Sequence, residues 1–127
     1  MPDTSLQATK TKKVLIIEDE GEMCLLLNIL LNDDEMELDH VKSLATASEY
    51  LSKEKPAVIL LDNKLPDGFG IDYITTLKQN VPGVKVIMIS GYDSSAKDVA
   101  LQNGADFFIS KPFKKQELYE AIKTLLY

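Results

Sequence analysis

The chain has 127 residues, 45% hydrophobic and 27% charged, the proportions of one soluble globular domain with a single core. Its 14 Lys+Arg against 20 Asp+Glu give a formal net charge of −6, which disfavours direct nucleic-acid binding, because phosphate neutralisation needs clustered positive charge. A single cysteine, Cys24, and a single histidine, His40, exclude an internal disulfide and a Cys/His structural zinc site.

Residues 1–12 read as a loose polar arm without the apolar segment of a signal peptide, and no apolar run approaches the roughly 18 residues of a membrane span. A cytoplasmic protein with its domain at 13–127 is expected. Val14-Leu15-Ile16-Ile17 is the first strand run, and it ends in Glu18-Asp19-Glu20. The helix that follows sets Met23, Leu26, Leu27, Leu30 and Leu31 on one stripe, with Cys24 as a small core residue beside it. The second strand run, Glu37-Leu38-Asp39-His40-Val41, is mixed in polarity and suits a sheet edge. A second helix spans about 44 to 52, with Ser43 as its N-cap. Ala57-Val58-Ile59-Leu60-Leu61 is a third, wholly apolar run that stops at Asp62, and residues 63–68 read as a turn. Ile71, Ile74 and Leu77 mark the third helix. The fourth strand, 84–89, ends in Ser90-Gly91. The fourth helix, about 95 to 103, presents Ala96, Val99 and Ala100 and stops at Asn103-Gly104. Phe107-Phe108-Ile109 is the fifth strand, followed by Ser110-Lys111-Pro112. The fifth helix carries Leu118, Ala121, Ile122 and Leu125.

Five strands alternating with five helices predict an α/β fold, a doubly wound five-stranded parallel sheet with helices on both faces. Ligands of such open sheets collect at the carboxyl ends of the strands. Taken singly, each tip residue has a plain structural reading. Asp19 or Glu20 would cap the first helix, Asp62 would open an Asx-turn, Ser90 would be a loop hydroxyl and Lys111 a solvated cation. Together, Asp19, Asp62, Ser90 and Lys111 converge on one crevice. Adjacent carboxylates there call for a counter-ion, and a hard divalent cation such as Mg²⁺ supplies one through oxygen ligands. The same cation binds phosphoryl oxygens, Lys111 adds a second positive charge, and Ser90 adds a donor. A carboxylate acting as nucleophile would then form an aspartyl phosphate.

These motifs strongly resemble the receiver domain of two-component response regulators. "IIEDE" is similar to that family's acidic pair, "LLDNKLPDGFG" to its phosphoacceptor signature, "VIMISGY" to its hydroxyl-bearing strand end, and "GADFFISKPF" to its Lys-Pro motif. The likeness covers about residue 13 to the end and implies the flavodoxin-like strand order 2-1-3-4-5. It implies Asp62 as phosphoacceptor, Asp19 as a direct Mg²⁺ ligand, Glu18 as a ligand through water, and the Lys64 carbonyl as a further ligand. Ser90 and Lys111 would meet the attached phosphoryl group, and the bond to Pro112 would be cis. Phe108 falls at the aromatic switch position; it lacks the hydroxyl of the Tyr often found there, so an inward state would rest on packing. Glu18 stands where Asp is common. Lys64 and Tyr92 would flank the phosphoryl group, with Tyr92 restricting water and slowing dephosphorylation.

The resemblance further implies a phosphodonor, a histidine kinase or phosphotransfer protein, and no direct contact with nucleic acid or membrane. His40, on the edge strand, is no phosphate carrier. Such a domain promotes its own phosphorylation and dephosphorylation. The face of the fourth helix, fifth strand and fifth helix would change shape, meeting a downstream protein, a missing output domain or a second copy in a homodimer. Lys97, Tyr119 and Lys123 are its candidate contacts, with solvated side chains as the plain alternative. The end at Leu125-Leu126-Tyr127 leaves open a stand-alone regulator or a receiver cut from a longer protein. A haloacid-dehalogenase-type phosphatase shares this chemistry, but it needs an acid two residues after the nucleophile, where Lys64 stands, and the reverse motif order. A flavin module is disfavoured because Glu18-Asp19-Glu20 would repel the cofactor phosphate. A receiver-like scaffold that is never phosphorylated stays open.

Overall fold

The computed structural model describes residues 12–31, 36–91 and 95–126. The main strands are β1 (Lys12–Ile17), β2 (Met36–Val41), β3 (Val58–Asp62), β6 (Lys85–Ser90) and β7 (Phe107–Ser110). They pair in parallel in the order β2-β1-β3-β6-β7, which is the predicted 2-1-3-4-5 counted over these five. The apolar runs take the centre and the mixed run takes an edge, as a sheet covered on both faces requires.

Strand alternation divides the core into two layers. Leu15, Ile17, Ile59, Leu61, Val86 and Met88 face Ala47 and Leu51 of helix α2 (Leu44–Leu51), Ile74 and Leu77 of α3 (Gly70–Asn80), and Ala100 of α4 (Ser95–Gln102). Val14, Ile16, Val58, Leu60, Ile87 and Ile89 face Leu27 of α1 (Gly21–Leu30), the adjoining Leu31, and Leu118, Ala121 and Ile122 of α5 (Lys115–Leu126). Each fully buried aliphatic side chain contributes about 1.5–3 kcal/mol, and this anchors the strand tips that carry the polar residues.

Two helix faces differ from expectation. On α1 only Leu27 is buried, with Leu31 just beyond its end; Leu26 is 42% exposed, and its neighbours Leu25 and Ile29 are 62% and 65% exposed. The contact stripe centres on one i, i+4 pair, so Leu26, about 100° around the helix from Leu27, lies at its margin. Val99 is likewise exposed, because α4 meets the core through the small residues Ala96 and Ala100. Ser43 caps α2 as expected. Its hydroxyl accepts the Thr46 N–H while Thr46 Oγ1 accepts the Ser43 N–H, a reciprocal capping box. The predicted turn after Asp62 holds a further antiparallel hairpin, β4 (Lys64–Leu65) and β5 (Gly68–Phe69). Its strands are too short to leave a period in the sequence.

His40 is half-buried on β2, and neither ring nitrogen has a hydrogen-bond partner among the described residues. Burial holds its pKa below the usual 6.5, with Asp39 pulling weakly the other way. The fold therefore favours neutral imidazole. Its contribution to stability is complete above pH 6.5 and is lost as pH falls from there toward the lower folded value. His40→Leu is expected to flatten that decline and to leave stability at pH 8 unchanged or raised by about 1 kcal/mol, since a buried unpaired polar group is removed. Urea denaturation at pH 8 and pH 5.5 reads both effects.

Candidate functional site

The site is built from the carboxyl ends of four neighbouring strands, β1, β3, β6 and β7. The Glu18 N–H donates to the Val41 carbonyl at 3.0 Å, extending the β1–β2 ladder by one residue, so Glu18 is only 2% exposed. Asp19 and Glu20 follow it into solvent. Glu20 is the N-cap of α1 but makes no side-chain cap bond. Asp62, the last residue of β3, is 7% exposed. One carboxylate oxygen from each of Glu18, Asp19 and Asp62 lies within 4.8 Å of the others.

Lys111 closes this cluster. Its Nζ stands 3.0 Å from Asp62 Oδ1, 3.5 Å from Glu18 Oε1 and 3.8 Å from Glu20 Oε1. Burial works against its charge, but the hydrogen bond and charge of Asp62, with Glu18 and Glu20 behind, outweigh it and raise its pKa. Glu18 is pushed up to about 7, first by burial and then by the Asp62 charge, with Lys111 offsetting only part. One ammonium therefore faces an excess of carboxylate, and hard oxygen donors in that number fit a divalent cation.

Ser90 ends β6 and is 6% exposed. Because Asp62 registers with Ile89, Ser90 lies one residue beyond it on the adjacent strand. The Lys111 N–H donates to the Ser90 carbonyl at 2.8 Å, tying the end of β7 to that of β6, and the Lys111-Pro112 bond is cis. The structure thus brings Glu18, Asp19, Asp62 and Lys111 together, with Ser90 beside them. Next to Asp62, the side chain of Asn63 ties the loop to the start of α3, its Oδ1 accepting the Ile71 N–H at 3.0 Å.

Other predicted residues lie apart from the carboxylates. The Lys64 side chain is exposed on β4, and Phe108 is half-buried against the α2/α3/α4 layer. Tyr92 lies outside the described residues. Cys24 is half-buried rather than in the core, its thiol donating to the Glu18 carbonyl at 3.3 Å. Lys97 is exposed, whereas the Lys123 ammonium sits 5.2 Å from the centre of the Tyr119 ring.

Sequence reasoning missed three residues that shape the loop after Asp62. A Cβ on Gly70 would lie 2.3 Å from the Asp62 carbonyl oxygen. The Gly70 N–H donates to the Asn63 carbonyl at 2.7 Å, closing the base of the hairpin. Asp67 at the hairpin tip accepts the Leu44 and Ala45 N–H groups, one on each carboxylate oxygen and both at 2.9 Å. The glycine-rich "PDGFG" signalled a tight turn, but nothing local to it points to α2.

Residues 14–123 match the response regulator receiver domain family, and the chain belongs to that family. Response regulator protein PilR of Pseudomonas aeruginosa is 34% identical over 116 residues, 91% of this chain and 26% of that protein. The KDP operon transcriptional regulatory protein KdpE of Escherichia coli is 34% identical over 113 residues, 89% of this chain and 50% of that protein. The chain thus spans a quarter to a half of the length of these relatives. Among solved structures, a CheY-like receiver domain protein from Methanospirillum hungatei superposes with a TM-score of 0.85 at 29% identity, covering 91% of this chain and 94% of that one. The beryllofluoride-activated NtrC4 receiver domain dimer gives 0.85 at 31%, with 91% and 97% covered.

Proposed function

We propose that Asp62 is the phosphoacceptor of this receiver domain. The observation that carries this reading is a carboxylate at the tip of a buried strand, within 4.8 Å of two more acids and 3.0 Å from an ammonium. One oxygen of Asp62 attacks phosphorus. The new O–P bond forms as the P–N bond to a donor's phosphohistidine breaks, and the leaving imidazole keeps the electron pair and takes a proton from water. Glu18, Asp19, Asp62 and the Lys64 carbonyl are assigned to Mg²⁺, which when bound neutralises phosphoryl oxygens. Lys111 stabilises the added negative charge, and the Ser90 hydroxyl donates to it.

The donor is a histidine kinase or phosphotransfer protein. A groove of about 310 Å³ lined by Met23, Leu26, Leu30, Pro112 and Phe113 adjoins Lys111, and the exposed Leu25 and Ile29 lie on the same helix. This apolar surface at the edge of the acceptor site supports docking of the donor there. Movement of Ser90 and Lys111 toward the phosphoryl group is accompanied by a shift of Phe108, biasing the α4-β7-α5 face between two states. A downstream protein, an output domain or a second copy reads that face; the activated NtrC4 dimer supports the last of these. No helix among the described residues is long and apolar enough to cross a membrane, and we assign the domain to the cytoplasm, where such donors deliver phosphate.

Incubation with Mg²⁺ and a small phosphodonor, followed by intact mass measurement, tests the assignment. Wild type is expected to gain one phosphoryl mass and Asp62→Ala none. An equal gain in both would transfer the role to another residue, and no gain in wild type under donor excess would favour the unphosphorylated scaffold.

A further inference from the structure

The loop between β3 and α3 is fixed at both ends. At its root, Asn63 accepts the Gly70 and Ile71 N–H groups, one on its carbonyl at 2.7 Å and one on its side chain at 3.0 Å. At its tip, Asp67 reaches across 23 residues of sequence to the first turn of α2. Between these ends lie Lys64, whose carbonyl the reading above assigns to the cation, and Leu65, which is buried in the α2/α3 layer. Gly68 packs against the same turn of α2: a Cβ there would lie 3.0 Å from Leu44 Cδ1, at a φ of +153° that side chains rarely adopt. The α2 helix does not depend on Asp67 for all its capping, since Ser43 and Thr46 already form a complete box. The Asp67 bonds are thus additional to the helix's own cap, and their other end is the loop of the acceptor site.

We infer that Asp67 is a positioning residue for the acceptor site, a bidentate carboxylate clamp that holds the Lys64 segment in register with Asp62 by tying the hairpin to α2. The inference rests on the reading of Asp62 as a Mg²⁺-assisted phosphoacceptor. Two backbone N–H groups accepted by one ionised carboxylate make a stronger and more directional tie than a neutral cap. They also depress the Asp67 pKa, so the clamp stays charged through the neutral range. With the clamp closed, the loop enters cation binding pre-organised. With it open, part of the binding free energy goes to ordering the loop. By linkage, cation binding then reaches α2, stabilising the clamp and protecting the Leu44 and Ala45 amides.

Four proteins separate this from a merely structural role: wild type, Asp67→Ala, Asp67→Asn and Ser43→Ala. Mg²⁺ alone is titrated into each, with calorimetry giving affinity, amide exchange at Leu44 and Ala45 giving the coupling, and urea denaturation giving stability. Asp67→Ala is expected to weaken Mg²⁺ binding by about tenfold, the low end of what supporting residues around a metal site cost, and to abolish the Mg²⁺-dependent protection. Asp67→Asn, which keeps one acceptor oxygen, is expected to fall between Asp67→Ala and wild type. Ser43→Ala removes the helix's own cap, so it lowers stability but holds Mg²⁺ affinity within about twofold. Wild-type affinity in Asp67→Ala, or an equal loss in Ser43→Ala, overturns the clamp while leaving the acceptor reading intact. Absence of Mg²⁺ binding in wild type overturns that reading and the clamp with it.

Discussion

Gly70→Ala is expected to cost the domain about 3 kcal/mol of stability, the upper end of what an added group costs in a packed interior, and to slow phosphorylation of Asp62 by at least tenfold. The methyl carbon would stand 2.3 Å from the Asp62 carbonyl oxygen, 2.9 Å from Leu61 Cγ and 3.1 Å from Leu61 Cδ1. The first of these is a backbone atom of the central strand and cannot rotate away. Either the start of α3 moves out or the end of β3 moves back, and both displace the residue assigned to the chemistry. An ångström of misplacement at a reacting group is enough for a rate loss of about a hundredfold. Gly21→Ala is the control. It places a methyl within 4 Å of nothing at the start of α1, and it is expected to be neutral or stabilising by about 0.5 kcal/mol. Urea denaturation and the mass-based phosphorylation assay on both variants decide the matter. Wild-type behaviour of Gly70→Ala would mean that the loop yields more readily than its packing implies.

Gly70 also marks where the sequence stopped being legible. The tips of β1, β3 and β6 could be read directly, because runs of aliphatic residues have no local use for Glu18, Asp62 or Ser90, and a parallel sheet gathers its carboxyl ends along one edge. What closes the loop after Asp62 could not. Gly70 is required by the close approach of the Asp62 backbone carbonyl rather than by its own φ, and Asp67 finds its partners on a helix 22 and 23 residues earlier in the chain. Propensity and periodicity report on neighbours in sequence, and neither contact is one. The misplacement of Leu26 and Val99 has a related origin. A helical stripe read from sequence has a centre but no edge, and the edge is set by how closely the neighbouring layer approaches. On α4 that approach is made through alanines, which turns Val99 outward.

Replacing Lys111 with methionine keeps most of the apolar stem and removes the only cation that the described structure places within 4 Å of Asp62 and Glu18. Breaking a fully buried ion pair on one side costs about 3–5 kcal/mol. The Lys111 side chain is 20% exposed, so a loss of about 2 kcal/mol at neutral pH is the expected figure. Its pH dependence follows from Glu18. That carboxyl is raised from its usual 4.5 to about 7 by burial and the Asp62 charge, against the pull of Lys111. A group whose folded pKa is raised contributes most to stability below its unfolded value and loses that contribution as pH climbs through the folded one. Without Lys111 the folded value climbs further, so the deficit of Lys111→Met should be largest at pH 8 and should shrink by pH 5, where Glu18 carries a proton in both proteins. Added Mg²⁺ should recover part of the loss at pH 8 by supplying the missing positive charge. It should not recover phosphorylation, which is expected to fall by about a hundredfold or more because Lys111 is the side-chain cation assigned to the charge that develops on the transferred group. Urea denaturation of the variant and wild type at pH 5 and pH 8, with and without Mg²⁺, separates these effects. A deficit equal at both pH values and indifferent to Mg²⁺ would mean that Lys111 serves this domain through the packing of its stem and not through its charge.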